Sequence, residues 1–323
     1  MKKTFNLLNV SIEVKAPIDV INYVESKTYE IPTYIADLKK HKLNYVYDPE
    51  LYKEIKDSIK EENIIRFYGE EYKNRVVIDG NIYLIDKDSI IIHSKDGFNI
   101  IGNTPFSKNH IIYFIREAIY EEYIINNQLL IHSACISNNG ATVLVGAPGA
   151  GKTTLLMEYL HNTDCNYVSN DLVGCHEKNA MASIIPVRVA HGTLKKYTHI
   201  DYPDLREKET YDLDEFLAEN KTKLESNVPI KNIVFPKFSL NSNFKMFSLQ
   251  KDTAFELLKG QTLNFGDEVR PYLWVNEFDI NNVNKEIITS RLNDLLDSTN
   301  LYGVNYGQEF TMEDYKVLEK RLV

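Results

Sequence analysis

The sequence contains no apolar run of about 18 residues, the length a helix needs to cross a bilayer. Its start, Met1-Lys2-Lys3, leads into Thr4-Phe5-Asn6 and not into the apolar stretch of a secretory leader, so a cytoplasmic protein is expected. Cysteine is scarce. Cys135, Cys165 and Cys175 are odd in number and lack metal-ligand spacing, and they read as buried free thiols. Positive charge is also in short supply: 37 Lys and Arg stand against 46 Asp and Glu, for a net charge of -9. That balance gives no electrostatic reason to expect nucleic acid or an anionic membrane as partner.

What is present is enough apolar material for a large core. With 323 residues, 43% of them hydrophobic, the chain can bury one large core or two smaller ones, and two domains are expected, over 1–104 and 105–323. In the first, the alternating runs Phe5 to Val14 and Val20 to Tyr29 predict strands, or a strand and a short helix. Leu51, Ile55 and Ile59 at helical spacing predict a surface helix within 47–62. Three β-like runs follow, Ile64 to Tyr68, Val76 to Ile85 and Ser89 to Ile101. Asp79-Gly80 and Asp96-Gly97 inside them are hairpin-turn pairs, because both central residues must tolerate positive φ. A mainly antiparallel β domain is therefore expected, and such a sheet specifies no function by itself.

The informative stretch lies in the second part. Gly146-Ala147-Pro148-Gly149-Ala150-Gly151-Lys152-Thr153 spells G-x-x-x-x-G-K-[ST] and is followed by Thr154. Such a loop wraps a polyphosphate with successive backbone N–H groups, and Gly146, Gly149 and Gly151 keep Cβ atoms out of the way. Lys152 adds a point charge for the outer phosphates. The Thr153 hydroxyl suits Mg²⁺, and a helix starting near Lys152 turns its positive end to the anion. The β-rich Thr142 to Val145 before the loop and Leu155-Leu156 with Tyr159-Leu160 after it supply the strand and helix the motif requires.

A helix is expected from about 107 to 125, then a strand from Leu129 to Ser137 and a tight turn at Asn138-Asn139-Gly140. Tyr167-Val168-Ser169 predicts the strand after the loop helix, ending in Asn170-Asp171. An acid at the tip of that strand is where a Mg²⁺-supporting carboxylate is expected, which singles out Asp171. The highly charged residues 194–227 suit an exposed, mobile segment. Asn232 to Phe235, ended by Pro236-Lys237, Phe244 to Leu249 and Tyr302 to Tyr306 predict strands. Thr253 to Lys259, Ile287 to Leu296 and Met312 to Leu322 predict helices.

The run from Leu129 to Val173 resembles the catalytic domain of the HPr kinase/phosphorylase family. The likeness rests on Leu-Ile-His-Ser-Ala with His132, the Asn139-Gly140 hairpin, the phosphate loop and Val-Ser-Asn-Asp-Leu-Val. Pro186-Val187-Arg188 with Gly192-Thr193, and Val-Phe-Pro-Lys at Val234 to Lys237, look like the related peptide-modifying kinases found beside ribosomally made peptide natural products. The resemblance covers roughly residues 105 to 310. It implies an α/β phosphate-loop kinase domain related to HPr kinase and phosphoenolpyruvate carboxykinase, using ATP and Mg²⁺ to phosphorylate a Ser or Thr hydroxyl of a peptide or small protein.

In that family two adjacent acids follow the strand, whereas here the first position is Asn170. A neutral amide can orient a hydroxyl but cannot take its proton. Three readings stay open: Asp171 is both base and metal partner, His132 accepts the proton, or the acceptor needs little activation. Arg188 is a candidate for neutralising the transferring phosphate. A small-metabolite kinase and a non-catalytic ATP-binding regulator are the alternatives, and the oligomeric state is left open.

Overall fold

The computed structural model describes residues 1–7, 10–28, 39–59, 65–66, 74–94, 97–183, 186–197, 202–205, 207–263, 265, 284–307 and 310–322. It is a mixed α/β protein with a sheet-rich N-terminal region, and its residues group into two compact units that meet in sequence at Glu122 and Tyr123. Among the described residues no helix is long and apolar enough to cross a membrane.

In the first unit eight strands form one sheet in the order Lys2–Leu7, Val10–Lys15, Lys39–Tyr47, Gly97–Gly102, Ser89–Ser94, Asn81–Ile85, Asn74–Ile78 and Ile65–Arg66. The sheet is antiparallel except at Lys39–Tyr47, which runs parallel to both of its neighbours. The expected Phe5 to Val14 run is two paired strands, and the second expected run is the helix Ile18–Lys27, which buries Val20, Ile21 and Val24. Asp79 and Gly80 close their hairpin with φ of 50° and 76°. Asp96 lies outside the described residues, and Gly97 pairs with Ser94.

Side chains three apart on a strand point to opposite faces. Ile101 accordingly joins Ile90 and Tyr52 under the helix Pro49–Ser58, while Phe98 meets Phe114 of the helix Asn109–Ile125 with ring centroids 4.2 Å apart. The first of these helices is capped by Asp48, whose carboxylate accepts from Leu51 N at 2.9 Å.

The second unit is a helix–sheet–helix sandwich. Its central strands lie in the order Asn166–Ser169, Ser133–Ser137, Ala141–Val145, Val228–Phe238, Asn300–Tyr306 and Lys245–Ser248; Ala141–Val145, Val228–Phe238 and Asn300–Tyr306 run parallel. A branch of three shorter strands, Asn179–Met181, Val173–His176 and Leu129–Ile131, leaves the start of Val228–Phe238. Alternation sorts the side chains. Ala134, Ile136, Leu144 and Val234 pack against the loop helix Lys152–Asn162, whereas Cys135, Val143, Val145 and Ile233 pack against the helices Lys251–Lys259 and Lys285–Asp297. The three cysteines are buried and free.

Three expectations need correction. Leu129 to Ser137 is not one strand: it breaks at His132, because its two halves pair with different strands, Val173–His176 and Ala141–Val145. The strand expected to end at Pro236 continues to Phe238. Phe238 N donates to Ala150 O at 3.0 Å on the loop side, so by alternation the ring nitrogen of Pro236 also faces the loop and costs the ladder with Asn300–Tyr306 no donor. Finally, residues 194–227 are not simply exposed. Within them the helix Leu213–Glu219 buries Leu213, Phe216 and Leu217 in the core, and Tyr197, Tyr202 and Leu224 pack against it.

Candidate functional site

The loop 146–151 runs from the end of Ala141–Val145 into the helix Lys152–Asn162. Gly149 and Gly151 take φ of 82° and 94°, a region that disfavours any Cβ. Two outside contacts set the loop's polarity. Ala150 O accepts from Phe238 N, and Gly151 O accepts from the buried Tyr306 hydroxyl at 2.6 Å. A trans peptide points its N–H opposite to its C=O. Pinning these two carbonyls against the strands therefore turns the N–H groups of Gly151 and Lys152 the other way, into the cradle.

Lys152 lies under that cradle, 8% exposed, and its ammonium donates to Gly146 O at 2.5 Å and Ala147 O at 3.3 Å. Burial pushes its pKa down to about 8; the nearby Asp171 carboxylate works against that, and Lys208 adds to it. The loop thus closes on a cation that donates to two neutral carbonyls, an arrangement that a polyanion would complete.

The next helical residues fix the neighbourhood. Thr153 Oγ1 donates to Asn170 Oδ1 at 3.1 Å, and Thr154 Oγ1 bonds Thr193 Oγ1 at 2.9 Å. Asn170 is 5% exposed and uses both ends of its amide, since Nδ2 donates to Arg188 O at 3.0 Å. A carbonyl only accepts, so the amino group must face Arg188 and the oxygen must face Thr153. It is therefore Asn170, one residue before the expected acid, that touches the Thr153 hydroxyl.

Asp171 sits beside it with φ of 80°, a conformation Asp tolerates better than most residues, and its carbonyl accepts from Ser133 N at 3.2 Å. His132, at the strand break, is tied by its own N–H to Gln261 O at 2.8 Å and through Nδ1 to Gln261 Oε1 at 3.1 Å. In a neutral ring, Nδ1 donating to that oxygen would leave the lone pair on Nε2. His132, Ser133, Asn170 and Asp171 thus belong to one knot where two chain segments leave one sheet branch for the other.

Arg188 contributes its carbonyl to this knot, while its side chain is exposed on the strand Val187–Ala190. Lys237 is exposed at the end of its strand. The parts that Tyr306 and Gln261 play escaped the sequence reading, for nothing local marks a residue whose partner lies far along the chain. Thr193, which bonds Thr154, was marked in the sequence by the Gly192-Thr193 pair.

Among the described residues no cluster of three or more His, Cys, Asp or Glu could hold a metal. A Mg²⁺ carried largely by phosphate oxygens needs no such cage, and one hydroxyl with one carboxylate or amide oxygen beside the loop is the modest protein share that chemistry asks for. No family model matches this chain, and none of the curated proteins compared with it does either.

Proposed function

We propose that the chain is an ATP- and Mg²⁺-dependent phosphotransferase of the HPr kinase-like type, acting on a Ser or Thr hydroxyl of a peptide or small protein. The observation that carries the proposal is the buried Lys152 ammonium under a glycine cradle whose N–H groups face inward, next to Thr153, Asn170 and Asp171 at the tip of the following strand. The order of elements, strand, loop, helix and acid-tipped strand, supports the family-level reading of the fold. So does the hairpin that feeds the loop.

On this reading residues 146–154 hold the triphosphate, with Lys152 against its outer oxygens. Thr153 and Asp171 hold Mg²⁺, which when bound neutralises charge on the transferring group. Asn170 keeps the Thr153 hydroxyl turned to the site. Asp171 or His132 accepts the acceptor's proton, and phosphoryl transfer draws most of its acceleration from positioning and charge, so either weak base suffices.

One observation favours a second reading, a nucleotide-binding regulator without turnover: the group that meets Thr153 is an amide and not a carboxylate. Incubating the protein with cell extract and ATP labelled in its terminal phosphate separates these readings. The proposal expects label in peptide or protein, stable to acid as a phosphoester. Label in a filterable metabolite would make the chain a small-molecule kinase, and tight ATP binding without any transfer would make it the regulator.

A further inference from the structure

The strand Val187–Ala190 pairs with Lys208–Tyr211 as an antiparallel ribbon, with Arg188 opposite Thr210 and Ala190 opposite Lys208. Val187 and Val189 are buried in the core at 2% and 0% exposure, which turns Arg188 to the outer face. Cross-strand partners share a face, so Lys208 lies diagonally beside Arg188 on that same outer surface.

The ribbon is fastened beside the phosphate loop at two points: Asn170 Nδ2, at the tip of the following strand, holds Arg188 O, and Thr193, just past the ribbon strand, bonds Thr154 of the loop helix. Lys208 is close enough for its charge to be felt at Lys152. The acids flanking it in sequence are engaged elsewhere. Glu209 Oε2 lies 3.3 Å from His191 Nε2 and Glu207 Oε2 lies 3.8 Å from His191 Nδ1. Among the described residues neither the Arg188 guanidinium nor the Lys208 ammonium has an ion-pair partner.

Two cations without an ion-pair partner among the described residues thus share one face of a ribbon tethered beside the phosphate loop, and the Lys208 charge disfavours the Lys152 ammonium. An anion held in the loop within reach of these side chains would be attracted by them. We propose that Lys208 acts with Arg188 as a clamp on the terminal phosphate of a nucleoside triphosphate held in the loop, giving the site its preference for triphosphate over diphosphate. The inference rests on the phosphotransferase reading and adds a residue to it. On this proposal a diphosphate, one phosphate shorter, would occupy the loop without engaging Lys208.

Equilibrium titration with Mg-ATP and with Mg-ADP, on the full chain and on Lys208→Ala and Lys208→Arg, tests it. Lys208 is exposed, so the substitutions are expected to leave the fold unchanged, which circular dichroism checks. Loss of one charge-assisted contact predicts that Lys208→Ala binds Mg-ATP about 10-fold more weakly while its Mg-ADP affinity stays within about 2-fold. Lys208→Arg is expected to keep the preference. Equal losses for both nucleotides, or no loss for either, would overturn the clamp while leaving the nucleotide site standing. Failure of the unaltered chain to bind either nucleotide would instead remove the phosphotransferase reading itself.

Discussion

Asn170 is asparagine for a reason its two bonds supply: Thr153 gives it a donor and Arg188 gives it an acceptor, and only an amide answers both. A carboxylate there would face the Arg188 carbonyl with oxygen against oxygen. Asn170→Asp is therefore expected to destabilise the protein by about 1–3 kcal/mol, the cost of an unmatched buried group, and urea denaturation measures it. A variant as stable as the parent would contradict the assignment.

Lys152 makes a second prediction at this scale. Its pKa falls from 10.5 to about 8 on folding, so between those values the unfolded chain holds a proton the folded chain has lost. Stability from this group then rises with pH across that window, and its cost is fully present below about pH 8. A polyphosphate in the cradle favours the ammonium and raises the pKa again. Calorimetry at about pH 8.5 in two buffers of different ionisation enthalpy is expected to detect proton uptake on nucleotide binding, and none would be seen if Lys152 did not meet the ligand.

Elements differ in how much of them the sequence betrays. The phosphate loop is legible because its eight positions are contiguous and each answers a local steric or electrostatic need. The closing elements Asn300–Tyr306 and Met312–Leu322 are legible from periodicity. The break at His132 is not, since Leu129–Ile131 and Ser133–Ser137 are both wholly buried and read as one apolar run. What divides them is a choice of partner strand far along the chain.

The charged stretch 194–227 misled for the opposite reason. Leu213, Phe216 and Leu217 form a narrow helical stripe, and the acids Asp214, Glu215 and Glu219 around it dominate the composition. The stripe carries weight, for Phe216 is 1% exposed and meets Tyr167 edge-on with centroids 5.2 Å apart. Phe216→Ala is expected to cost about 3–5 kcal/mol, read as a fall in the denaturation midpoint. A loss below about 1 kcal/mol would restore the picture of a surface insertion.

At the scale of the molecule, the residues group into two compact units. Every residue of the proposed site, from Lys152 and Thr153 to Asn170, Asp171 and Arg188, lies in the second, while the first offers a mixed sheet without a recognised motif. A ligand that binds only the folded loop stabilises by mass action, about 2.7 kcal/mol at a hundred times its dissociation constant. The most direct test is a calorimetric titration of the full chain and of Lys152→Ala with Mg-ATP, at neutral pH, after circular dichroism has matched their folds. Saturable binding at one site per chain, lost in Lys152→Ala, is the predicted result; equal binding by both proteins, or none by either, would contradict the nucleotide site on which the proposed function depends.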